Sequence, residues 1–176
     1  MRALGPGSVS SFLKFILDVA YYVLLVSLAG LAIISVAGLL LSFNPAFLRN
    51  LDVSGEAGKI VAKGPVLAAT LAYSVFYVGS LLAIIGGLRR VFATLTGGDP
   101  FHPDNIRRLR FIGFVLAGME LARHAFQAIL GQMGAGAEKG DDGVSVTAWF
   151  AVLVIFVLAE VFREGARLRH EAELTI

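Results

Sequence analysis

Residues 19–43 read VAYYVLLVSLAGLAIISVAGLLLSF, and no charged side chain interrupts them. As a helix, such a run crosses roughly 30 Å of hydrocarbon, for which about 20 residues suffice. Arg2 and Lys14 precede it, as basic residues precede a secretory signal. A signal's apolar core is only about 7–15 residues, however, and no cleavage site followed by a soluble domain comes after this one. The run is read as a true membrane span.

Outward from it, the pattern repeats. Gly64 to Leu88 is also free of charge, and Val144 to Phe162 is apolar apart from Glu160. Phe111 to Gly134 is apolar too, but Glu120, Arg123 and His124 interrupt it. A carboxylate or guanidinium at the bilayer centre costs roughly 2.5–3.5 kcal/mol on insertion scales, and each apolar residue returns roughly 0.3–0.6. For this third segment the two sides nearly cancel, so it needs neighbouring helices to hold it in lipid. With 57% hydrophobic residues and a mean hydropathy of +0.78, the chain lies outside the range of ordinary soluble domains. The expected fold is an all-α membrane protein, a four-transmembrane-helix bundle with a short cytoplasmic C-terminal helix. It forms one domain over 1–176, with spans near 15–43, 64–92, 106–134 and 144–165 and a juxtamembrane tail at 166–176.

Charge sets the orientation. With alternating spans, one side holds Arg2, Lys14, Arg89, Arg90, Arg107, Arg108, Arg110, Arg163, Arg167 and Arg169, and the other Arg49, Lys59, Lys63 and Lys139. Ten against four places both termini in the cytoplasm by the positive-inside rule. Residues 44–63 and the acidic turn 138–143 then face outward, the former as a connector or a segment lying along the membrane surface. The pI near 9.2 does not point to direct nucleic-acid binding. The basic residues are divided among membrane-flanking segments and form no dense stripe that could track phosphates.

The link between spans two and three reads RRVFATLTGGDPFHPDNIRRLR. Gly97-Gly98 ends the second helix, since glycine takes the left-handed conformation that a helix C-terminus favours. The third begins with His102 at the N-cap, Pro103 at the first helical position and Asp104 in the first turn, where an acidic residue suits the helix dipole. At the other end of the chain, Glu164–Arg167 and Arg167–Glu171 are spaced to pair along a solvated helix. Phe162, Ala166 and Leu168 give that helix a short apolar side suited to packing on the Gly98–Leu109 segment. The tail is read as a juxtamembrane helix or as a partner-binding surface.

On a helical wheel Gly113, Ala117, Glu120, His124, Gln127 and Gly131 form one stripe, with Arg123 at its edge. Phe111, Phe114, Val115, Phe126 and Ile129 lie opposite, so the stripe is expected to face other helices and the aromatic side lipid. Gly79, Ala83 and Gly87 of span two offer a matching small-residue surface. Glu120, Arg123, His124 and Gln127 are thus a candidate intramembrane polar cluster. It reads either as a Glu120–Arg123 pair fixing helix register or as the lining of a cavity for an ion, proton or small ligand. Asp18 and Glu160 are expected in an ion-pair layer with Arg89, Arg90 and Arg163. Tyr21, Tyr22 and Trp149 suit the membrane interface, and Tyr77 suits packing within the bundle.

No cofactor or metal is expected. Cysteine is absent, which removes thiol chemistry, iron–sulfur ligation and cysteine-bound zinc. His102 and His170 lie outside the spans, so His124 has no second intramembrane histidine for haem ligation. No nucleophile–base–orienter set or phosphate-cradling loop is present, and an enzyme is not expected.

Two segments together resemble a known family. GGDPFHPDNIRRLRFIG and AEVFREGARLRHEAELTI resemble the bacterial membrane-protein family catalogued as domain of unknown function 2975. The matching residues are Pro100, Phe101, Arg108, Leu109, Arg110, Ile112 and Gly113, then Phe162, Arg163, Gly165, Leu168, Glu173, Leu174, Thr175 and Ile176. Members often carry threonine or serine where this chain has His102-Pro103. The resemblance implies a four-helix integral protein of the bacterial inner membrane and partnership with a small helix-turn-helix regulator. The expected function is a non-enzymatic regulatory or interaction protein. Its candidate cytoplasmic partner surface comprises Pro100, Phe101, Arg107, Arg108, Arg110, Arg163, Arg167 and Leu168. The alternative is a small transporter or channel component built on the Glu/Arg/His cluster, which would form a homo-oligomer to make a pore.

Overall fold

The computed structural model describes residues 9–42, 64–97, 101–134 and 145–174. The expected outer loop 44–63, the acidic turn 138–143, Pro100, Thr175 and Ile176 lie outside the described residues. Those described form four helices: α1 Val9–Ser42, α2 Gly64–Thr96, α3 Pro103–Gln132 and α4 Val146–Glu173. The C-terminal tail is no separate element, because α4 runs unbroken from Val146 to Glu173.

Several helix ends have a chemical cause. Pro65 sits in the first turn of α2, where its missing N–H loses no bond. Near the far end the Thr94 hydroxyl donates to the Val91 carbonyl (2.7 Å) and Thr96 to Phe92 (3.0 Å), back-bonds that keep both hydroxyls within the last turns of the helix. Within the apolar run, Thr70 and Ser74 donate back to Val66 and Thr70 at 2.9 and 2.8 Å, which hides their hydroxyls from lipid. His102 does cap α3: its Nδ1 accepts from the Asp104 N–H at 3.2 Å, and its carbonyl accepts from Asn105 N–H at 2.9 Å. A ring nitrogen here replaces the usual hydroxyl. After α3 the chain turns at Gly134, whose φ of 61° is the left-handed conformation glycine tolerates. Ser145 caps α4 by accepting from Ala148 N–H at 3.2 Å.

The three helices α1, α2 and α4 are long and apolar enough to cross a membrane. α3 is of similar length, but its apolar run carries the charged cluster. Large hydrophobic side chains stand exposed all along α1 and α4, among them Phe12, Val26, Ile33, Leu40, Phe150, Leu153 and Val157. A soluble domain does not leave apolar surface of that extent bare. This chain is a helical membrane protein.

The chain divides into two compact units. One comprises Met1–Leu24, Ser80–Gly118 and Ser145–Ile176, the other Leu25–Gly79 and Met119–Val144. In the first, Leu17, Val91, Leu109, Ile112, Val152 and Ala159 are buried. α3 approaches α2 closely at Gly87, where an added Cβ would lie 3.0 Å from Ile112 Cδ1. It approaches α4 at Gly113, where a Cβ would lie 3.0 Å from the Phe156 ring. In the second unit Leu71 of α2 seats against Gly38 of α1, 2.6 Å from where a Cβ would stand.

These contacts revise the expected α2–α3 match. Of the stripe's glycines, Gly113 serves α4, and around Gly131 a Cβ would meet nothing within 4 Å. On α2, Gly87 makes a close approach but Gly79 does not. Phe111, Phe114 and Ile129 are exposed as lipid-facing residues should be. Phe126 is not a lipid-facing residue: it stacks on Tyr73 of α2 with ring centres 4.3 Å apart. An aromatic ring gains as much from another ring as from acyl chains, so apolarity alone does not say which it meets.

Candidate functional site

The polar cluster lies in the second unit. One and a bit turns of α3 place Glu120, Arg123 and His124 at i, i+3 and i+4, on one face. Glu120 is buried at 7% exposure. Arg123 grips its carboxylate with two donors, Nη2 to Oε1 at 2.7 Å and Nε to Oε2 at 3.2 Å. This is the bidentate fork that makes arginine the best partner for a dry carboxylate. His124 Nε2 stands 3.4 Å from Glu120 Oε1 without hydrogen-bond geometry. Gln127 is half-buried one turn on. Sequence reasoning missed Tyr73, which stacks on Phe126, sits 6.2 Å from the Tyr77 ring, and interacts electrostatically with Glu120 and Arg123. Nothing in the spacing of α2 singles Tyr73 out from Tyr77, and only packing reveals which one meets α3.

The candidate partner surface lies in the first unit, and there the two ends of the resemblance meet. Phe101, just before α3, packs on Phe162 of α4 with ring centres 5.9 Å apart. It also fills the space a Cβ at Gly165 would need, its Cδ1 lying 2.7 Å from that point. The tail therefore does pack on the start of α3, but through Phe162 and Gly165. Leu168 stays 54% exposed. Arg110 of α3 reaches Glu160 of α4 at 3.8 Å, and Glu160 also pairs with Arg163. Arg107 pairs with Asp104 at 3.0 Å, and Arg167 with Glu164 at 2.6 Å and Glu171 at 3.4 Å. Phe101, Leu109, Ile112, Gly113, Phe162 and Gly165 thus serve helix packing. Arg107, Arg110, Arg163, Arg167 and Leu168 remain outward-facing.

Beneath that face lies a network that the pattern of residues did not disclose. Asn105, fully buried, donates through Nδ2 to Thr94 Oγ1 at 2.7 Å. Arg108 Nη1 donates to Asn105 Oδ1 and to the Arg90 carbonyl, each at 3.2 Å. A side chain from α3 thereby ties the end of α2 to the start of α3. The signal available beforehand was an asparagine in the first turn of a helix, and that is ordinarily a solvent-facing position.

The ion-pair layer is present in part. Arg89 Nε donates to Asp18 Oδ1 at 2.6 Å, and the guanidinium lies 4.3 Å from the Tyr21 ring centre and 5.5 Å from that of Tyr22. Glu160 takes Arg163 and Arg110. Arg90 makes no ion pair with any described residue. Trp149 stands in the first turn of α4, partly exposed. Among the described residues no three metal-ligating side chains converge.

Residues 18–176 match the family described as "Protein of unknown function (DUF2975)". The chain belongs to this family. The DUF2975 match takes in α1 from Asp18 and the whole of α2, α3 and α4, with both segments that carry the resemblance. Comparison with curated proteins and with solved structures finds no match. Within the DUF2975 chain the packed half of the resemblance, from Phe101 to Gly113 and at Phe162 and Gly165, is accounted for by helix contacts.

Proposed function

We propose that this DUF2975 protein is a four-span, non-enzymatic protein of the bacterial inner membrane whose cytoplasmic end binds a small helix-turn-helix regulator. In this reading α3 is the fourth span and both termini are cytoplasmic. The observation that carries it is the junction of Phe101 with Phe162 and Gly165. That junction joins two distant stretches into one rigid base, from which Arg107, Arg110, Arg163, Arg167 and Leu168 project. A partner meets a preformed surface there and need not order a loose tail, so less entropy opposes binding. Exposed arginines on such a face favour an acidic patch on the partner and steer its approach.

The self-paired Glu120–Arg123 fork supports a packing role for the cluster, since a carboxylate so occupied is a poor ligand for an ion. One observation favours the transport alternative: the buried His124 Nε2 has no hydrogen-bond partner. If the alternative holds, Glu120→Gln or His124→Ala alters flux or its pH response while membrane abundance is unchanged.

The test of the main reading is affinity purification of the full chain from its native host in mild detergent, with partners identified by mass spectrometry. Stoichiometric recovery of a helix-turn-helix regulator is the expected result. Recovery of no cytoplasmic protein would remove the reading's support.

A further inference from the structure

An open cavity of about 480 Å³ lies between α1 and α2 within the first unit, lined by Lys14, Asp18 and Tyr21 on one side and Arg89 and Arg90 on the other. Lys14, Asp18 and Tyr21 are spaced i, i+4, i+7, so they share a face of α1 and all point at the groove. The volume falls within the range of about 300–1,000 Å³ usual for small-ligand pockets. We infer that this cavity binds a phosphate group, carried on the headgroup of an anionic lipid.

Charge carries the argument first. Three cations face one anion, and the anion is already committed: Asp18 accepts from Arg89 Nε at 2.6 Å. A guanidinium has five N–H donors, and this pairing uses the Nε edge. Asp18 and the Tyr21 ring, 4.3 Å from the guanidinium, hold Arg89 in one orientation. Lys14 and Arg90 make no ion pair with any described residue. The site therefore presents one oriented arginine with two unneutralised cations beside it. Fixed guanidinium forks match the tetrahedral oxygens of phosphate better than a halide or a bare carboxylate.

Position carries the rest. Lys14–Tyr21 lies at the start of α1's apolar run, and Gly86–Ala93 near the end of α2's. Helix ends of this kind meet the membrane at the level of the lipid phosphates, and Tyr21 and Tyr22 are the aromatic type that settles there. Basic pockets between transmembrane helices at this level hold the headgroups of anionic lipids. This inference needs only α1 and α2 in the membrane and is independent of any protein partner.

The test uses the purified full chain and native mass spectrometry after exchange into vesicles of phosphatidylcholine with or without phosphatidylglycerol. The intact protein is expected to retain phosphatidylglycerol over phosphatidylcholine. Lys14→Gln with Arg90→Gln should reduce that retention about tenfold or more, from the loss of two interfacial cations. Arg163→Gln with Arg167→Gln, which removes two cations elsewhere, should leave it intact. Asp18→Asn releases Arg89 and should raise retention, which separates a lost site from a lost fold. A parallel arm titrates inorganic phosphate into lipid-free protein in neutral detergent. Saturable binding that the Lys14/Arg90 double variant abolishes would keep the phosphate site and make its ligand a soluble ion. Equal phosphatidylglycerol retention in the double variant, or no binding in either arm, would overturn the inference.

Discussion

The membrane-end ion pairs of the first unit and the buried trio of the second use the same chemistry under opposite constraints. Asp18–Arg89 and Arg110–Glu160 run between helices and stay partly exposed, with side chains about a quarter to a half accessible. Glu120, Arg123 and His124 lie on one helix, and the carboxylate is buried. Near water a charge survives alone, so a pair there is free to specify which helices meet. A buried carboxylate without a partner is too costly, and the partner has to travel with it. Spacing at i,i+3 and i,i+4 lets the neutralising contact form before α3 meets any neighbour. The comparison teaches that the first unit sets its ion pairs between helices, while the second neutralises its buried carboxylate within one helix.

The largest effect should come from breaking the buried pair on one side only. Glu120→Ala removes the carboxylate that the Arg123 guanidinium grips and should cost roughly 3 kcal/mol, at the low end for buried pairs because Arg123 is 28% exposed. The readout is thermal unfolding in detergent. Glu120→Leu with Arg123→Leu should recover most of the loss, since apolar replacement of a buried pair is often neutral. Failure of the double variant to recover would mean that the pair does more than neutralise itself.

Next comes Asn105→Ala, which removes the buried amide that donates to Thr94 and accepts from Arg108. A loss of about 1–3 kcal/mol is expected in the same assay. Gly165→Ala follows, at roughly 1–2 kcal/mol net. The added methyl overlaps the Phe101 ring, and that overpacking exceeds the roughly 1 kcal/mol that alanine gains in a helix. Gly165→Ala with Phe101→Leu should restore stability if the overlap is the cause. The smallest effect belongs to Arg167→Ala. Its pairs with Glu164 and Glu171 are solvent-exposed, and less than about 0.5 kcal/mol should be lost.

The two regions also differ in how far their residues could be read beforehand. Uncharged length marked α1 and α2, and the single Glu160 near its end marked α4. Spacing alone paired Glu120 with Arg123, because i,i+3 geometry is fixed by the helix itself. His102-Pro103 located the start of α3 for the same local reason. What the residues did not disclose was which apolar groups meet each other. The helical wheel puts Phe126 toward lipid, and it instead stacks on Tyr73. The small-residue stripe is expected to have its match on α2, yet its Gly113 receives Phe156 of α4. In a membrane protein the interior and the surroundings are equally apolar, so hydropathy loses its power to tell inside from outside. Asn105 escaped for the converse reason, since its polarity suited a solvent-facing first turn while its partner, Thr94, lay on another helix.

The account assigns partner binding to the outward arginines of α3 and α4 and a packing role to the Glu120 cluster. The most direct test is co-purification of the proposed helix-turn-helix regulator with two variants of the full chain at matched membrane abundance. Arg163→Glu with Arg167→Glu should lose the regulator, and Glu120→Gln should retain it. Retention by the first variant together with loss from the second would contradict the assignment.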